Sequence, residues 1–587
     1  MTSYEWQPGH KYGPYIGPQY NALSYTWGRY RLTTEEIQQM PQVIAIGISG
    51  ITWEVPRIHP NHFTAAEFQA AIQRAIHPIA TGIQMLASMD QMQDSPSVDF
   101  LWLDIACVDQ SPNSATGAAE IGRQAMIFQG ADAVFVWLVG HTEVQLSSCL
   151  ASLFRDADIA QKNHTTRPAH EAGQRWSGST TDPGDTSKSN LHGDEPWLND
   201  AITQLDLLLS DGWFSSLWTL QEAFLCSQAI LISRDAETVD IFTKTLDGLF
   251  RACNILHTVC LRSIRLKLGG GCTAHPAEES LIQKSTNSGL AALAMRNPMS
   301  LYTVARYRQT TFPLDRIYGI MQVFDLRLGK AAPGAVQTDP WDLPQLQLQL
   351  GIALLEKDPT MSQLHIHATR PPVGQAWRVS DSSIVPDLVN RIPMFGTSTI
   401  FGEYRTNCHL STKTYRSQTW GYFGGMICPL EVLQSAWKAA EQQPEYAAPL
   451  SRGIGSIQQI ALDATEFILP GELSEDPPFN VPIKNGRHHQ FGDQVVKMVK
   501  SQSLEVSVLY LGQFYDERRD KMDLSNRHGR FVGDKVNIGI LLVRKDDVWI
   551  RQGLCIWDIS PLDSRSPVWA TLTCQSLDWQ NQQGLFG

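Results

Sequence analysis

The fold of this chain is decided by residues 213–235, WFSSLWTLQEAFLCSQAILISRD. Apolar side chains recur at helical spacing over residues 214–225, which predicts a helix. The uninterrupted apolar run 229–232 then predicts a short strand buried on both faces, as in a parallel sheet. One carboxylate, Glu222, lies on the helix among aromatic side chains. Such a carboxylate is costly unless it is solvated, paired or used, so Glu222 is the first candidate functional residue.

Three earlier apolar runs also predict strands. They span residues 22–27, 98–106 and 133–139, and a helix over about 120–130 separates the second from the third. Strand, helix and strand in this order are typical of right-handed crossovers and of a parallel sheet. The sequence therefore predicts an α/β fold for this part of the chain.

The remaining segments differ in composition. Residues 161–196 are polar and rich in Ser, Thr, Gly, Pro and Asp, which predicts a disordered insertion. From about Gln494 onward, short apolar runs separated by turn signals predict β-structure. We therefore divide the chain into an N-terminal domain over 1–235, a helical extension over 236–330 and a mixed, β-rich C-terminal domain over 331–587.

Bulk properties limit the partners and the compartment. The net charge is -12 and no long Lys/Arg run is present, which argues against binding to nucleic acid. The 10 Cys are scattered without a CxxC pair, which is typical of a reducing compartment and gives no metal site. No signal sequence and no membrane span is evident. We expect a cytoplasmic protein without a bound cofactor that acts on a small-molecule substrate or binds a protein partner.

Ligands of an open parallel sheet bind outside the carboxyl ends of its strands. Candidate residues after the first three predicted strands are Tyr25, Trp27, Gly28, Asp104, Cys107, Asp109, Gln110 and His141. Asp104 interrupts an apolar run, so it either accepts a ligand hydroxyl or serves as a cap or buried hydrogen-bond acceptor. Cys107 and His141, with Asp109 as orienter, fit a nucleophile–base pair, and the alternative is a buried structural thiol.

Four stretches in this order resemble the fungal heterokaryon-incompatibility (HET) domain. They are NALSYTWG (21–28), LWLDIACVDQ (101–110), IFQGADAVFVWL (127–138, preceded by Glu120 and Gln124) and WFSSLWTLQE (213–222). The later segment TFPLDRIYGIMQV (311–323) resembles another stretch that is common in these proteins. The resemblance covers roughly the first 235 residues and leaves most of the C-terminal half unassigned.

The HET domain is regarded as a distant relative of the TIR fold. The resemblance therefore implies a flavodoxin-like parallel sheet with helices on both faces. In NAD-cleaving TIR domains, the Glu that corresponds to Glu222 is catalytic. By this resemblance Glu222 contacts the ribose of NAD and stabilises an oxocarbenium-like transition state. Asp104, from its place at the end of an apolar strand, is the second candidate catalytic carboxylate. Substrate-binding residues would be Tyr25, Trp27, Gly28, Asp109, Gln110 and Trp218.

The same resemblance implies an effector of self/non-self recognition and cell death. It would hydrolyse NAD as a substrate and, like TIR-type enzymes, act as a homo-oligomer. Two departures from the family pattern, Ser216 and Ile121 in place of arginines, favour an alternative: a catalytically inert interaction module. A third hypothesis is a HET-like enzyme of secondary-metabolite biosynthesis, in which Cys107, His141 and Asp104 would react. The large unfamiliar C-terminal half favours that hypothesis.

Overall fold

A computed structural model gives the fold of the chain. It describes residues 11–12, 15–16, 18–40, 47–77, 98–111, 114–166, 196–239, 245–269, 274–294, 298–335, 340–386, 403–443, 458–464, 505–515, 535–559, 565–576 and 578–587. The strands are β1 (Lys11–Tyr12), β2 (Tyr15–Ile16), β3 (Tyr20–Ser24), β4 (Phe100–Leu103), β5 (Val134–Leu138), β6 (Ile230–Ser233), β7 (Ile366–His367), β8 (Ser383–Ile384), β9 (Glu403–Thr406), β10 (His409–Tyr415), β11 (Gln418–Pro429), β12 (Gln458–Leu462), β13 (Val506–Tyr515), β14 (Lys535–Lys545), β15 (Val548–Asp558) and β16 (Gln580–Phe586).

The α-helices are α1 (Thr34–Gln39), α2 (Ala65–Ile76), α3 (Asp104–Cys107), α4 (Ala115–Ile121), α5 (Gln124–Gly130), α6 (Glu143–Thr166), α7 (Pro196–Leu209), α8 (Trp218–Leu225), α9 (Leu246–Gly269), α10 (Pro276–Ser288), α11 (Leu290–Ala294), α12 (Pro298–Ala305), α13 (Asp315–Tyr318), α14 (Leu343–Lys357), α15 (Pro359–Ser362), α16 (Leu430–Glu441) and α17 (Pro567–Leu572). Short 3-10 helices span Gly28–Tyr30, Gly212–Ser215, Met321–Phe324 and Gly329–Ala331.

Four parallel strands form the N-terminal sheet in the order β4-β3-β5-β6. Numbered along the chain, this order is 2-1-3-4, with which flavodoxin-like sheets begin. The predicted α/β fold is confirmed. Each strand overlaps a predicted apolar run, because a parallel strand covered on both sides buries nearly every residue. The first strand, however, is Tyr20–Ser24 and not 22–27, so Tyr25 and Trp27 follow it.

Helices cover both faces of this sheet. Side chains alternate between the faces along each strand, as the pleat requires. One face packs against α2 through Leu23, Phe135, Trp137 and Ile232. The other face packs against the layer formed by α6, α7, α8 and α9 through Ala22, Val134, Val136, Leu138 and Leu231.

The outer edge of β6 is hydrogen-bonded to the chain that follows it. After β6 the backbone turns back and forms antiparallel bridges that pair Ile232 with Thr238 and Ile230 with Thr245. Further backbone hydrogen bonds join Ser233 to Glu237 at 3.0 Å, and Leu246 to Ala229 at 3.1 Å. At these positions β6 has partners on both sides.

Helices dominate the segment after the sheet, as predicted for 236–330. The predicted insertion needs a correction at its start, because α6 continues to Thr166 and residues 161–166 are therefore helical. Residues 167–195 of that insertion lie outside the described residues. Within the described parts of the chain, no helix has the length and apolarity needed to cross a bilayer.

The C-terminal part is β-rich, as predicted. Seven strands pair in the order β10-β11-β16-β15-β14-β13-β9, and β12 adds to β15. An additional pairing of β11 with β13 closes β11, β16, β15, β14 and β13 into a ring. Helix α16 packs its Leu433 and Trp437 against a cluster that includes Tyr510 and Trp557 of the ring.

Residues 311–323 attach the helical segment to the N-terminal sheet layer. The side chain of Gln322 accepts a hydrogen bond from Ala125 N at 2.7 Å and donates one to the carbonyl of Ile121. Gln322 is 4% exposed, and its two partners lie at the junction of α4 and α5. One amide group therefore satisfies the backbone at the break between two helices.

We expect Gln322→Ala to destabilise the N-terminal part. Each backbone group left buried without a partner costs about 1–3 kcal/mol, which lowers the midpoint of thermal unfolding by several degrees. The exposed Gln38 of α1 provides a matched control, and Gln38→Ala should leave the midpoint unchanged. Equal midpoints for the two variants would contradict this role of Gln322.

Candidate active site

A hydroxyl group at the end of β3 contacts the buried carboxyl group of Glu222. Ser24 is two residues after Ala22, so its side chain lies on the sheet face that packs against α8. Its Oγ donates to Glu222 Oε2 and accepts from the indole Nε1 of Trp213 at 2.8 Å. Glu222 is 6% exposed. Helix α8, which begins at Trp218 and not at Phe214 as predicted, therefore brings Glu222 to the carboxyl end of the sheet.

Asp104 lies at the end of the neighbouring strand. The sequence predicted a strand over 98–106, whereas β4 ends at Leu103 and Asp104 is the first residue of α3. The strand ends there because Asp104 Oδ1 accepts from the Ile105 backbone N–H at 2.7 Å and starts a helical turn. Its Oδ2 accepts from Trp27 Nε1 at 2.6 Å. Asp104 as a residue is partly buried, and its carboxyl group is enclosed by these donors.

Burial separates the ionisation of the two carboxyl groups. The pKa of Glu222 is raised from 4.5 to about 8, chiefly by burial and then by the Asp104 carboxylate, while the Ser24 hydrogen bond opposes the shift. Burial raises the pKa of Asp104 to about 6, opposed by hydrogen bonds from Trp27 and Ile105. At neutral pH, Asp104 is therefore mostly ionised and Glu222 mostly protonated.

Tyr25 adds a buried hydroxyl group beside Asp104. Its ring packs against Phe63, Phe68 and Trp137 on the α2 face of the sheet. Burial raises the pKa of Tyr25 well above its ordinary value, and the nearby Asp104 raises it further. The Tyr25 hydroxyl interacts with the Asp104 carboxyl group and opposes the rise of the Asp104 pKa. Tyr25 therefore belongs to the group of side chains around Asp104.

The stretch 211–216 is held by loops that follow two strands. After β5, the Gly140 N–H donates to Asp211 Oδ2 at 2.6 Å, and a Cβ at Gly140 would lie 2.9 Å from that oxygen. After β3, Arg29 donates to Ser215 Oγ at 3.0 Å and to Gln309 Oε1 at 2.7 Å. These bonds fix the residues on either side of Trp213 at the carboxyl end of the sheet.

Arg308 is a functional-site neighbour that the sequence did not reveal. It is 2% exposed, and burial lowers its pKa to about 9. Its guanidinium donates to the carbonyls of Trp213 at 3.2 Å and Ser216 at 3.4 Å, and to that of Ser288. These carbonyls lie at the ends of the 212–215 turn and of α10. The Arg308 guanidinium therefore hydrogen-bonds at the C-termini of two helices, the 212–215 turn and α10, where the backbone carries partial negative charge.

The other predicted binding residues lie at two kinds of position. Gly28 is exposed and begins the turn after Trp27, and Gln110 Nε2 lies 3.5 Å from the carbonyl of Asp104. Asp109 instead accepts from Ser111 and Ser114 within its own loop, which lowers its pKa. Burial raises the pKa of Asp315, and hydrogen bonds from Thr310 and Trp218 oppose the shift, so Trp218 is engaged with the 311–323 segment. Their binding roles stay predictions.

The predicted pair of Cys107 and His141 has no supporting contact. Burial raises the pKa of the Cys107 thiol to about 11, so it is neutral and a weak nucleophile at neutral pH. The imidazole of His141 is buried with Nε2 3.4 Å from the carbonyl of Leu208. No hydrogen bond between described residues joins the two side chains. Their nucleophilic role stays a prediction.

The comparisons with known proteins assign the N-terminal part to a family. The model of the heterokaryon incompatibility protein (HET) family matches residues 20–222. The chain contains a HET domain. Searches of the curated proteins and of the solved structures gave no match. The matched region of the HET domain begins with β3 and ends at Glu222, so it includes Ser24, Asp104 and Trp213, whereas Arg308 lies outside it.

The ionisation of Glu222 predicts a pH-dependent stability. Its pKa is about 8 in the fold and 4.5 ordinarily, so between these values the folded chain binds more protons than the unfolded chain. The contribution of Glu222 to the free energy of unfolding is complete below pH 4.5. It then falls by up to about 1.4 kcal/mol per pH unit as the pH rises to 8.

We expect Glu222→Gln to remove this fall, because the amide mimics the protonated carboxyl group and does not ionise. The difference in thermal midpoint between variant and wild type should change through that window and level off above it. Glu35→Gln, on the exposed face of α1, is the matched control and should keep the wild-type profile. Parallel curves for wild type and Glu222→Gln would disprove the buried ionisation.

Proposed function

We propose that this HET-domain protein is an effector of self/non-self recognition that cleaves NAD at the nicotinamide glycosidic bond. The supporting observation is the Glu222 carboxyl group, which is buried at the carboxyl end of the parallel sheet, bound by Ser24 and electrostatically coupled to Asp104. Paired carboxyl groups with separated pKa values are an arrangement suited to glycosidic bond cleavage.

The proposed reaction breaks the bond between the nicotinamide nitrogen and C1′ of the ribose. The bonding electrons leave with nicotinamide, and positive charge develops on the sugar. Ionised Glu222 stabilises that charge from a fixed position in a partly dry site. The oxygen of a water molecule then bonds to C1′ and its proton is released. Asp104, mostly ionised at neutral pH, is suited to accept that proton. The products are nicotinamide, ADP-ribose and a proton.

The charges around the site favour a cationic substrate group. Among the described residues, no Lys, Arg or His side chain hydrogen-bonds to the carboxyl group of Glu222 or of Asp104. The nicotinamide ring of NAD carries a positive charge, which stabilises the ionised form of a nearby carboxyl group. The substrate therefore helps to generate the carboxylate that the reaction needs. Trp27 and Tyr25 are the further substrate contacts that the sequence predicts.

A second candidate is a HET-type interaction module without catalysis. It is favoured by the structural use of the two positions that depart from the family pattern. Ile121 packs against the hydrophobic core and its carbonyl binds Gln322, and the carbonyl of Ser216 binds Arg308. No contact favours the third hypothesis, a biosynthetic enzyme that uses Cys107 and His141. Under the module hypothesis, Glu222→Gln leaves growth arrest or cell death unchanged.

We expect the purified chain to release nicotinamide and ADP-ribose from NAD, measured by chromatography. Glu222→Gln should reduce the rate by at least about a hundredfold, the usual loss when a group that stabilises transition-state charge is removed. Glu35→Gln should retain the wild-type rate. Each protein is assayed in separated monomeric and oligomeric fractions, because assembly is an expected requirement.

Equal rates for wild type and Glu222→Gln in every fraction would reject NAD cleavage by this residue. If growth arrest in cells also persists in Glu222→Gln, the interaction module becomes the supported function.

We further expect the activity to rise with pH. The profile of kcat/KM reports the free protein, so it should increase about tenfold per pH unit and level off near the Glu222 pKa of about 8. The profile of kcat should level off at lower pH, because the bound nicotinamide cation favours ionised Glu222. A kcat/KM that falls as pH rises toward 8 would show that protonated Glu222 is the active form.

A further inference from the structure

Ser24 occupies a position between two groups that restrict its hydroxyl. The residue is 2% exposed, and its oxygen accepts the Trp213 indole N–H at 2.8 Å. Because the indole nitrogen can only donate, one lone pair of Ser24 is always used. The hydroxyl hydrogen is directed to Glu222 Oε2. A hydroxyl that accepts from one side is a stronger donor to the other.

Trp213 cannot easily release Ser24. Its side chain is 0% exposed, and its backbone N–H donates to Asp211 Oδ1 at 2.8 Å. Its carbonyl accepts from Thr219 Oγ1 at 2.5 Å and from Arg308 at 3.2 Å. Arg308 is a buried cation, and its bonds to the carbonyls of Trp213 and Ser216 hold this turn. The bonds run from Arg308 through Trp213 and Ser24 to Glu222.

We propose that Ser24 is a positioning residue for Glu222, oriented by the Trp213 indole so that its hydroxyl stabilises the ionised form of the Glu222 carboxyl group. The proposal rests on the proposed function, since that form is the one the glycosidic cleavage uses. The cleavage then also depends on Ser24, although Ser24 itself contacts no reacting atom.

Within the described part of the chain, the other titratable groups that interact with Glu222 are acids. Asp104 raises the pKa of Glu222, Tyr25 responds to Glu222 from the end of β3, and Cys226 responds from the same helix. All three disfavour a second negative charge when they are ionised. The Ser24 hydroxyl acts in the opposite direction. Removing Ser24 and removing the Asp104 charge should therefore shift the ionisation of Glu222 in opposite directions.

The test measures Glu222 ionisation without relying on catalysis. The thermal midpoint is measured against pH for Ser24→Ala and for the double variant Ser24→Ala with Glu222→Gln. The difference between these two midpoints levels off at a certain pH. That pH is compared with the pH at which the difference between wild type and Glu222→Gln levels off. Loss of a hydrogen bond to a charged group should raise this pH by about one to two units. Trp213→Phe should raise it less, and Asp104→Asn should lower it.

If Ser24 had a merely structural role, Ser24→Ala would lower the pH at which the midpoint difference levels off. Burial is the largest cause of the raised pKa of Glu222, so a loosened site that admits water lowers it. A downward shift or no shift in Ser24→Ala would overturn the proposal. If Ser24→Ala does not fold, the direction of the shift in Trp213→Phe decides. Ser147→Ala is the matched control, since it breaks a Ser–Glu hydrogen bond of 2.7 Å with Glu143 on α6, away from this site.

Two comparisons complete the experiment. The double variant Ser24→Ala with Trp213→Phe should show the same shift as Ser24→Ala alone, because Trp213 acts through Ser24; additive shifts would overturn that order. In the NAD assay, the pH at which kcat/KM levels off should shift in the same direction as the pH found in the unfolding experiment. A shift in unfolding without any NAD cleavage rejects the proposed function and leaves the Ser24–Glu222 coupling established.

Discussion

Burial of one carboxyl group at the carboxyl end of a parallel sheet is the constraint on which the N-terminal part depends. Removed from water, Glu222 needs a hydrogen-bond partner, and Ser24 of β3 provides it. Ser24 is held by Trp213, and Trp213 by a turn whose carbonyls bind Thr219 and Arg308. Strand β3, the turn before α8 and the helices after the HET domain must therefore fold together.

This dependence explains why the family match and the structural unit do not end at the same residue. The match ends at Glu222. Arg308 and Gln322 follow it, yet both satisfy buried backbone groups inside the matched region. The surroundings of the site thus include residues that lie outside the matched region.

The sequence predicted the sheet well because its strands are buried on both faces and stand out as continuous apolar runs. It was less successful at their ends. Asp104 seemed to lie within a strand, since the carboxylate that starts α3 is followed by apolar residues that fit either structure. Helix α6 extends into a polar stretch because backbone hydrogen bonds, rather than apolar contacts, are enough to continue a helix for another turn or two.

Candidate site residues were predictable where they follow strands, as Trp27 and Asp104 do. Ser24 was recognisable in principle, because it follows Ala22 by two residues and therefore places its hydroxyl on the same buried face of the sheet. Its contacts with Trp213 and Glu222 join residues 189 and 198 positions apart and leave no periodic trace. Arg308 had no signal at all, because in the sequence RYRQTT it resembles an ordinary surface arginine. The protonation of Glu222 follows from burial, which only the folded chain defines.

The chain that returns along β6 has a consequence for contacts between molecules. An open strand edge is a template onto which a strand of another chain can add. The backbone of β6 is already paired with Thr238 and Thr245, and Ser233 is also hydrogen-bonded to Glu237. The sheet therefore cannot grow from molecule to molecule at this end. Copies of the chain that associate must meet through other surfaces, and strand exchange at β6 would first have to displace a segment of the same chain.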